Sequence, residues 1–132
     1  MDPALERQIL RAYEVFVTGD IDRILGEFVP DATFTNPPYA IEGGVRRGLE
    51  EMRGSFQALH DEFDFHGAEV EEIVQGPEGV LAVVRMDARG RISGAPLDGH
   101  FFHAFKLRDG RVSDFAWFST LAEARQAIGL ES

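Results

Sequence analysis

Two alternating stretches decide the fold: Val80-Leu-Ala-Val-Val-Arg-Met-Asp-Ala-Arg89 and Gly99-His-Phe-Phe-His-Ala-Phe-Lys-Leu107. Side chains two residues apart share one face of a β-strand. One face of the first stretch begins apolar and ends in a pair of opposite charges: Leu81, Val83, Arg85 and Asp87. One face of the second stretch carries a histidine within an apolar set: Phe101, His103, Phe105 and Leu107. Both stretches are therefore predicted to be strands with polar groups where a core would hold aliphatic side chains.

We expect these two faces to lie together, so that Arg85, Asp87 and His103 meet in an apolar pocket. A histidine on an apolar face is also compatible with a satisfied core residue, and Arg85 with Asp87 is compatible with a structural ion pair. Because two adjacent strands supply polar groups together, we favour the pocket. If the ion pair is buried there, removing Arg85 would destabilise the fold by roughly 3–5 kcal/mol.

Composition limits the classes of function. The 132 residues include 44% hydrophobic and 27% charged residues, which is typical of one soluble globular domain, residues 1–132. A net charge of -10 predicts no binding to nucleic acid or anionic membranes, and no apolar run is long enough for a membrane span. Cysteine is absent, so disulfides and thiolate chemistry are excluded. A cytoplasmic location is the expectation.

The remaining pattern predicts helices before a run of strands. Asp2-Pro3 begins a helix that ends at Thr18-Gly19, and Asp20 can cap a shorter helix to Phe28. A short strand follows over residues 32–36, then a helix over 45–60, strands over 64–74, 80–89, 99–107 and 112–120, and a helix over 121–128. Helices gathered before consecutive antiparallel strands predict an α+β fold in which helices fill one face of a curved sheet and enclose a cone-shaped cavity.

Several motifs carry a resemblance to a known superfamily. They are Gly19-Asp20, Pro30-Asp-Ala-Thr-Phe-Thr-Asn-Pro37, Gly43 before the third helix, and Asp109-Gly-Arg-Val112. With them the chain resembles the nuclear-transport-factor-2-like superfamily, especially its SnoaL-like branch of polyketide cyclases, steroid isomerases and limonene-type epoxide hydrolases. The resemblance implies a cystatin-like α+β barrel, with a strongly curved, mixed and mainly antiparallel sheet. It does not imply one activity, because this fold hosts enzymes, binding modules and assembly domains.

The catalytic patterns of that branch match only in part. Arg85-Met-Asp87 is similar to the Arg-x-Asp of the epoxide hydrolases, but Trp117 and Phe34 stand where that pattern has a carboxylate and a tyrosine. In the steroid-isomerase pattern, Asn36 takes the position of the general base and His103 that of the oxyanion-donating Asp. For the late-strand acid of SnoaL-like cyclases, this chain offers only Trp117 and Ser119.

The site prediction follows from these residues. His103 is expected to act as acid and base, with Asp87 orienting its ring and Arg85 holding Asp87 ionised. The expected ligand contacts are Asn36, Tyr13, Phe34, Phe101, Phe115, Trp117 and Ser119. No metal site and no cofactor are predicted. The other histidines, His60, His66 and His100, are expected at the surface or the rim.

Three functions remain open at this level. One is a cofactor-free isomerase, cyclase or hydrolase acting on an apolar molecule with a carbonyl or epoxide. Another is a pocket that binds such a molecule without catalysis. An association domain is a third alternative. A homodimer through the outer face of the sheet is also expected, because that face is predicted to be apolar: Val80, Ala82, Val84, Met86, Phe102, Ala104, Ala116 and Phe118.

Overall fold

The computed structural model of the chain describes residues 2–37 and 43–131. In those residues, two helices precede two strands, a third helix, four more strands and a final helix. The helices are α1 (Pro3–Val17), α2 (Ile21–Leu25), α3 (Gly48–Glu62) and α4 (Leu121–Ala127). The strands are β1 (Phe28–Asn36), β2 (Gly44–Arg47), β3 (Phe63–Gly76), β4 (Gly79–Gly90), β5 (Pro96–Arg108) and β6 (Arg111–Phe118).

These strands form one sheet in the order β2-β1-β6-β5-β4-β3. The β1–β6 pair is parallel, and the other neighbouring pairs of this sheet are antiparallel. The predicted α+β class with a large, curved and mainly antiparallel sheet is confirmed.

The first two helices begin where the sequence predicts. The side chain of Asp2 accepts a hydrogen bond from the backbone N–H of Ala4 at 2.9 Å, and Pro3 occupies the first helical position. Asp20 accepts in the same way from the backbone N–H of Arg23 at 3.3 Å. These caps fix the start of each helix, and the buried side of α1 then faces the sheet with Tyr13 in its centre.

Two predicted boundaries are wrong. The second helix ends at Leu25 rather than Phe28, and Pro30 lies inside β1. The strand tolerates Pro30 because its register with β6 shifts between Phe28 and Thr33, so no regular ladder bond is required there. The third helix begins at Gly48, since residues 44–47 pair with β1 as the edge strand β2.

The register of β4 against β5 decides which side chains face the helices. Directly opposite residues of an antiparallel pair share a face, and the pairs are Val80 with Phe105, Ala82 with His103 and Val84 with Phe101. The inner face of β4 is therefore its even-numbered set, Val80, Ala82, Val84, Met86 and Ala88, each of which is buried. The predicted grouping of Leu81, Val83, Arg85 and Asp87 with His103 is one residue out of register and is wrong.

A second, smaller core lies on the outer face of the sheet. There α4 packs on Leu81 and Ala104, with Val83, Phe102 and Phe118 partly buried beside them. The chain after α4 is joined to the β3–β4 hairpin by a 3.0 Å bond from the Glu78 N–H to the Ile128 carbonyl. Glycine is required in that hairpin, because a Cβ at Gly76 would lie 2.4 Å from the Ile128 carbonyl oxygen. The outer face is thus partly covered by the chain itself.

Candidate functional site

The concave side of the sheet and the helices α1 to α3 enclose a cavity of about 650 Å³. Its described lining is largely apolar and includes ten aromatic residues: Tyr13, Phe16, Phe28, Phe34, Phe56, Phe65, Phe101, Phe105, Phe115 and Trp117. Ligand cavities of small proteins have this size and this composition, with a few polar groups that fix orientation. The polar groups of this cavity therefore decide what it can hold.

The first polar group is a hydrogen-bonded pair between α1 and β5. The hydroxyl of Tyr13 lies 2.5 Å from Nδ1 of His103, and the two rings are stacked with an interplanar angle of 13°. Both side chains are buried, with His103 only 7% exposed. Burial lowers the pKa of His103 to about 3 and raises the pKa of Tyr13 well above its ordinary value. Both groups are consequently neutral near pH 7.

The second ring nitrogen of His103 is available to a ligand. No residue within 2–37 or 43–131 forms a hydrogen bond with Nε2, yet this atom is not sealed from solvent. Since the ring lines the cavity, the open space beside Nε2 is the cavity. The other neighbours of the ring are Phe101, Phe105 and Phe115, whose ring centres lie 4.9–6.5 Å away. His103 therefore presents one polar atom within an apolar wall.

A second polar pair lies on the next strands of the sheet. The indole N–H of Trp117 donates to Oδ1 of Asn36 at 2.5 Å, and Trp117 stands opposite His103 in the β5–β6 ladder. Asn36 is buried at the end of β1. Phe34 and Phe115 complete this wall with ring centres 5.2 Å apart. Of the predicted ligand contacts, the structure brings Asn36, Tyr13, Phe34, Phe101, Phe115 and Trp117 to the cavity.

Two predicted catalytic residues lie outside. Arg85 has a side chain that is 56% exposed and forms an ion pair with Glu69 at 3.7 Å, and Asp87 is exposed. Neither lines the cavity, because the apolar set of β4 occupies its inner face. The prediction that Asp87 orients the ring of His103 is wrong in its geometry, and Tyr13 takes that place.

Ser119 and His60 also differ from expectation. Ser119 is exposed, follows the end of β6 and does not line the cavity. His60 is buried rather than at the surface, with its ring centre 4.8 Å from that of Phe16 and 5.0 Å from that of Phe65. Among residues 2–37 and 43–131, the buried Nε2 of His60 has no hydrogen-bond partner, and burial lowers the pKa of this ring.

Two carboxylates line the cavity although no sequence pattern predicted them there. Glu27 follows α2 and is held by Arg11 through contacts of 2.9 and 3.2 Å. Glu62 is an exposed residue in the last turn of α3. Their positions depend on how the helices pack, which the helical spacing alone does not reveal.

Within residues 2–37 and 43–131, no group of three or more His, Asp or Glu side chains is arranged to hold a metal ion. No helix among them is long and apolar enough to cross a membrane.

A curved sheet with helices in its concavity and an aromatic cavity between them defines a small-molecule pocket fold. The chain belongs to the SnoaL-like domain family, whose profile matches residues 9–115. No functionally curated protein matches the sequence.

Solved structures resemble the whole chain at low sequence identity. An NTF2-like protein of unknown function from Burkholderia pseudomallei K96243 is 20% identical with a TM-score of 0.74, covering 98% of this chain and 99% of that one. A protein from Jannaschia sp. CCS1, provisionally named a SnoaL-like polyketide cyclase, is 18% identical with a TM-score of 0.75, covering 100% and 98%. A ketosteroid isomerase-like fold from Catenulispora acidiphila DSM 44928, in complex with trimethylamine, is 13% identical with a TM-score of 0.73, covering 93% and 92%. At these identities the comparisons show the shared fold.

Proposed function

We propose that the protein binds an uncharged, mainly apolar small molecule and holds its carbonyl or epoxide oxygen at Nε2 of His103. The observation that carries this proposal is the Tyr13–His103 hydrogen bond, which leaves Nε2 as a polar atom facing an aromatic cavity. One well-placed polar group in an apolar pocket is the usual basis of orientation and specificity.

The charges around the cavity favour an uncharged ligand. No lysine or arginine occurs among the described lining residues. Glu27 is paired with Arg11, and Glu62 lies at the exposed end of α3. An anionic ligand group next to His103 would lose its hydration without gaining a cationic partner among the described lining residues, at a cost of several kcal/mol. A cationic group would meet only Glu27, which already pairs with Arg11, and the exposed Glu62.

The same geometry argues against acid/base turnover. With a pKa of about 3, His103 is a weak base that stays neutral at pH 7. Asn36 cannot take up a proton, and Arg85 and Asp87 are outside the cavity. Of the lining carboxylates, Glu27 is held in an ion pair with Arg11 and Glu62 is exposed at the end of α3. The binding alternative therefore has the stronger support.

Ligand titration tests the binding proposal. The chain has a single tryptophan, Trp117, which lines the cavity and whose fluorescence reports on occupancy. We expect benzylacetone to bind about tenfold more tightly than butylbenzene, because only the ketone accepts a hydrogen bond, and we expect phenylbutyrate not to bind. The His103→Phe variant should remove the difference between ketone and hydrocarbon, whereas His66→Ala, at an exposed site, should leave it unchanged. Equal affinities for all three ligands in the natural protein would contradict the proposal.

A second candidate is an enzyme of the isomerase, cyclase or hydrolase type. A neutral imidazole N–H can polarise a carbonyl or epoxide oxygen, and Nε2 faces the cavity. Turnover of any member of a panel of epoxides, enones and polyketide-like ketones, lost in His103→Phe, would favour this candidate over simple binding.

One substitution separates the two candidates further. Asn36→Asp keeps the size of the side chain and the acceptor for the Trp117 N–H, and adds a carboxylate where the steroid-isomerase resemblance has its base. If only the base is missing, this variant should isomerise a β,γ-unsaturated ketone that the natural protein merely binds.

We also propose that the protein pairs as a homodimer through the outer face of the sheet. The exposed apolar patch on this face is smaller than the sequence pattern predicts. The even-numbered residues of β4 face inward, and α4 covers Leu81 and Ala104. What remains partly exposed is Val83, Phe102, Ala116 and Phe118. Light scattering at low micromolar concentration tests this proposal. A mass near the 14.7 kDa of one chain would rule the dimer out, and Phe102→Glu should produce that mass from a dimer.

A further inference from the structure

Tyr13 and His103 each contain both a donor and an acceptor, so their hydrogen bond can form in two directions. A neutral imidazole carries a single N–H, on either Nδ1 or Nε2. A tyrosine hydroxyl can donate to a bare Nδ1 or accept from a protonated one. The 2.5 Å contact between the two atoms is compatible with both arrangements.

We propose that the ligand selects the tautomer of His103 and that Tyr13 completes the hydrogen bonding of the ring in either state. His103 is then an anchor for two chemical classes, oxygen acceptors such as ketones and oxygen donors such as phenols. This inference rests on the proposed binding function and deepens it, because it names the ligand classes that the same site accepts.

The first state suits an acceptor. The Tyr13 O–H donates to Nδ1, the proton of the ring is on Nε2, and the Nε2–H donates to the carbonyl oxygen of the ligand. The second state suits a donor. The ring proton is on Nδ1 and is donated to the Tyr13 oxygen, Nε2 is bare, and the ligand O–H donates to it.

The change between the two states is a tautomerisation, in which protons and charge are conserved. The proton on Nε2 leaves to solvent water, solvent water supplies one proton to Nδ1, and both Tyr13 and the ligand hydroxyl keep one proton throughout. The charge of the pair and its number of protons are the same before and after. No bond between heavy atoms is made or broken.

The surroundings of the ring favour this freedom. A histidine tautomer is normally fixed by the partner of its other nitrogen, such as a carboxylate, a backbone carbonyl or a metal. Here the partner of Nδ1 is a hydroxyl, the Phe101, Phe105 and Phe115 rings beside it offer no polar group, and the N–H of Trp117 on the neighbouring strand is already donated to Asn36. Both groups are kept neutral by burial, so neither state is imposed by a charge. Tyr13 is thus a positioning residue that acts through His103.

Nitrogen NMR of the protein labelled with ¹⁵N-histidine tests the inference, because the two tautomers give different ring-nitrogen shifts. The chain has four histidines, and the signals of His103 are those that disappear in His103→Gln. With benzylacetone bound, we expect the Nε2–H tautomer. With para-propylphenol bound, we expect the Nδ1–H tautomer.

Affinity provides the second arm of the test. In the phenol complex the buried Tyr13 O–H has no acceptor among the described residues, so the ketone should bind up to about tenfold more tightly than the phenol in the natural protein. The Tyr13→Phe variant removes the partner of Nδ1 in the free and the bound protein alike, so it should change the affinities of both oxygen ligands by a similar factor of no more than about ten and leave butylbenzene unchanged. A loss of only one oxygen ligand would mean that Tyr13 fixes a single tautomer, which overturns the inference.

The outcomes separate the two proposals. If both ligands bind and the tautomer is the same in both complexes, the two-state anchor is wrong while the binding function stands. If neither ligand binds, the proposed function itself fails, and the inference fails with it.

Discussion

The two faces of the β4–β5 hairpin differ in how they use polar residues. The inner face carries His103 among apolar neighbours and leaves it neutral, bound to Tyr13 and buried. The outer face is apolar under α4, where Leu81 lies, and becomes charged beyond it, where Arg85 is exposed to water. An uncharged polar group is tolerated inside because one hydrogen bond satisfies it, whereas a charged group is placed outside. A polar residue on an inner strand face therefore indicates a site only when a hydrogen-bond partner for it lies within reach.

The largest effect on stability is expected in the apolar half of the outer face, which is the part that α4 covers. Leu81 is fully buried beneath α4, so Leu81→Ala should lower the free energy of unfolding by about 2–5 kcal/mol. Chemical denaturation measures the loss. A loss below about 1 kcal/mol would show that α4 does not close over the sheet, and it would remove the distinction between the two outer halves.

The buried His103 on the inner face should make the free energy of unfolding depend on pH. The folded pKa of His103, about 3, is below the ordinary value of 6.5, so the unfolded chain takes up the proton first. The stabilisation is complete above the unfolded pKa and is lost as pH falls from about 6.5 toward 3. Between pH 7 and about pH 4.5, the loss should be about 2–3 kcal/mol.

The variant His103→Gln isolates that contribution. It lacks the titrating ring while His60, whose pKa is also lowered, is retained in both proteins. The difference between their denaturation free energies should therefore change with pH by the stated amount. Identical slopes for the two proteins would mean that His103 is not buried in the neutral form.

A smaller effect is expected when the bond inside the cavity is broken. Tyr13→Phe removes the hydroxyl and leaves Nδ1 of His103 without a partner, which should cost about 1–2 kcal/mol of stability. Phe16→Leu, on the same helix and also in the lining, controls for packing changes that remove no hydrogen bond. If Tyr13→Phe is as stable as the natural protein at every pH, the pair makes no net contribution.

The smallest effect is expected on the charged half of the outer face. Arg85→Ala should change stability by less than about 1 kcal/mol, since its ion pair with Glu69 is exposed. This value replaces the larger cost that a buried pair with Asp87 would give. Asp87→Asn should be equally mild, and neither change should alter ligand affinity. A loss of several kcal/mol in Arg85→Ala would instead support a buried ion pair between Arg85 and Asp87.

Local signals in the sequence predict much of this fold. Asp2 and Asp20 cap the first two helices as expected, and the alternation of β5 places His103 inward. The edge strand β2 could not be found from its pattern, because four residues that pair only with β1 carry no recognisable alternation. Pro30 within β1 is similarly a consequence of tertiary pairing.

Of the strands β4 and β5, only β5 had its cavity-facing residues predicted correctly. In β4 the even-numbered residues are apolar throughout, whereas the odd-numbered set turns from Leu81 to the charged Arg85 and Asp87. An uninterrupted apolar set belongs inside, and the cover that α4 gives to Leu81 explains why the other set also begins apolar. Tyr13 was predicted in the cavity wall and lies there, but its hydrogen bond with His103 was not predicted, because that contact joins residues 90 positions apart in the sequence.

The central claim is that the cavity orients its ligand through the uncharged His103 and not through the charged pair of β4. Titration calorimetry of benzylacetone against the natural protein, His103→Phe and Asp87→Asn tests it most directly. We expect His103→Phe to lower the affinity for benzylacetone about tenfold, to that of butylbenzene. We expect Asp87→Asn to bind benzylacetone as the natural protein does. A loss of affinity in Asp87→Asn with full binding in His103→Phe would contradict it.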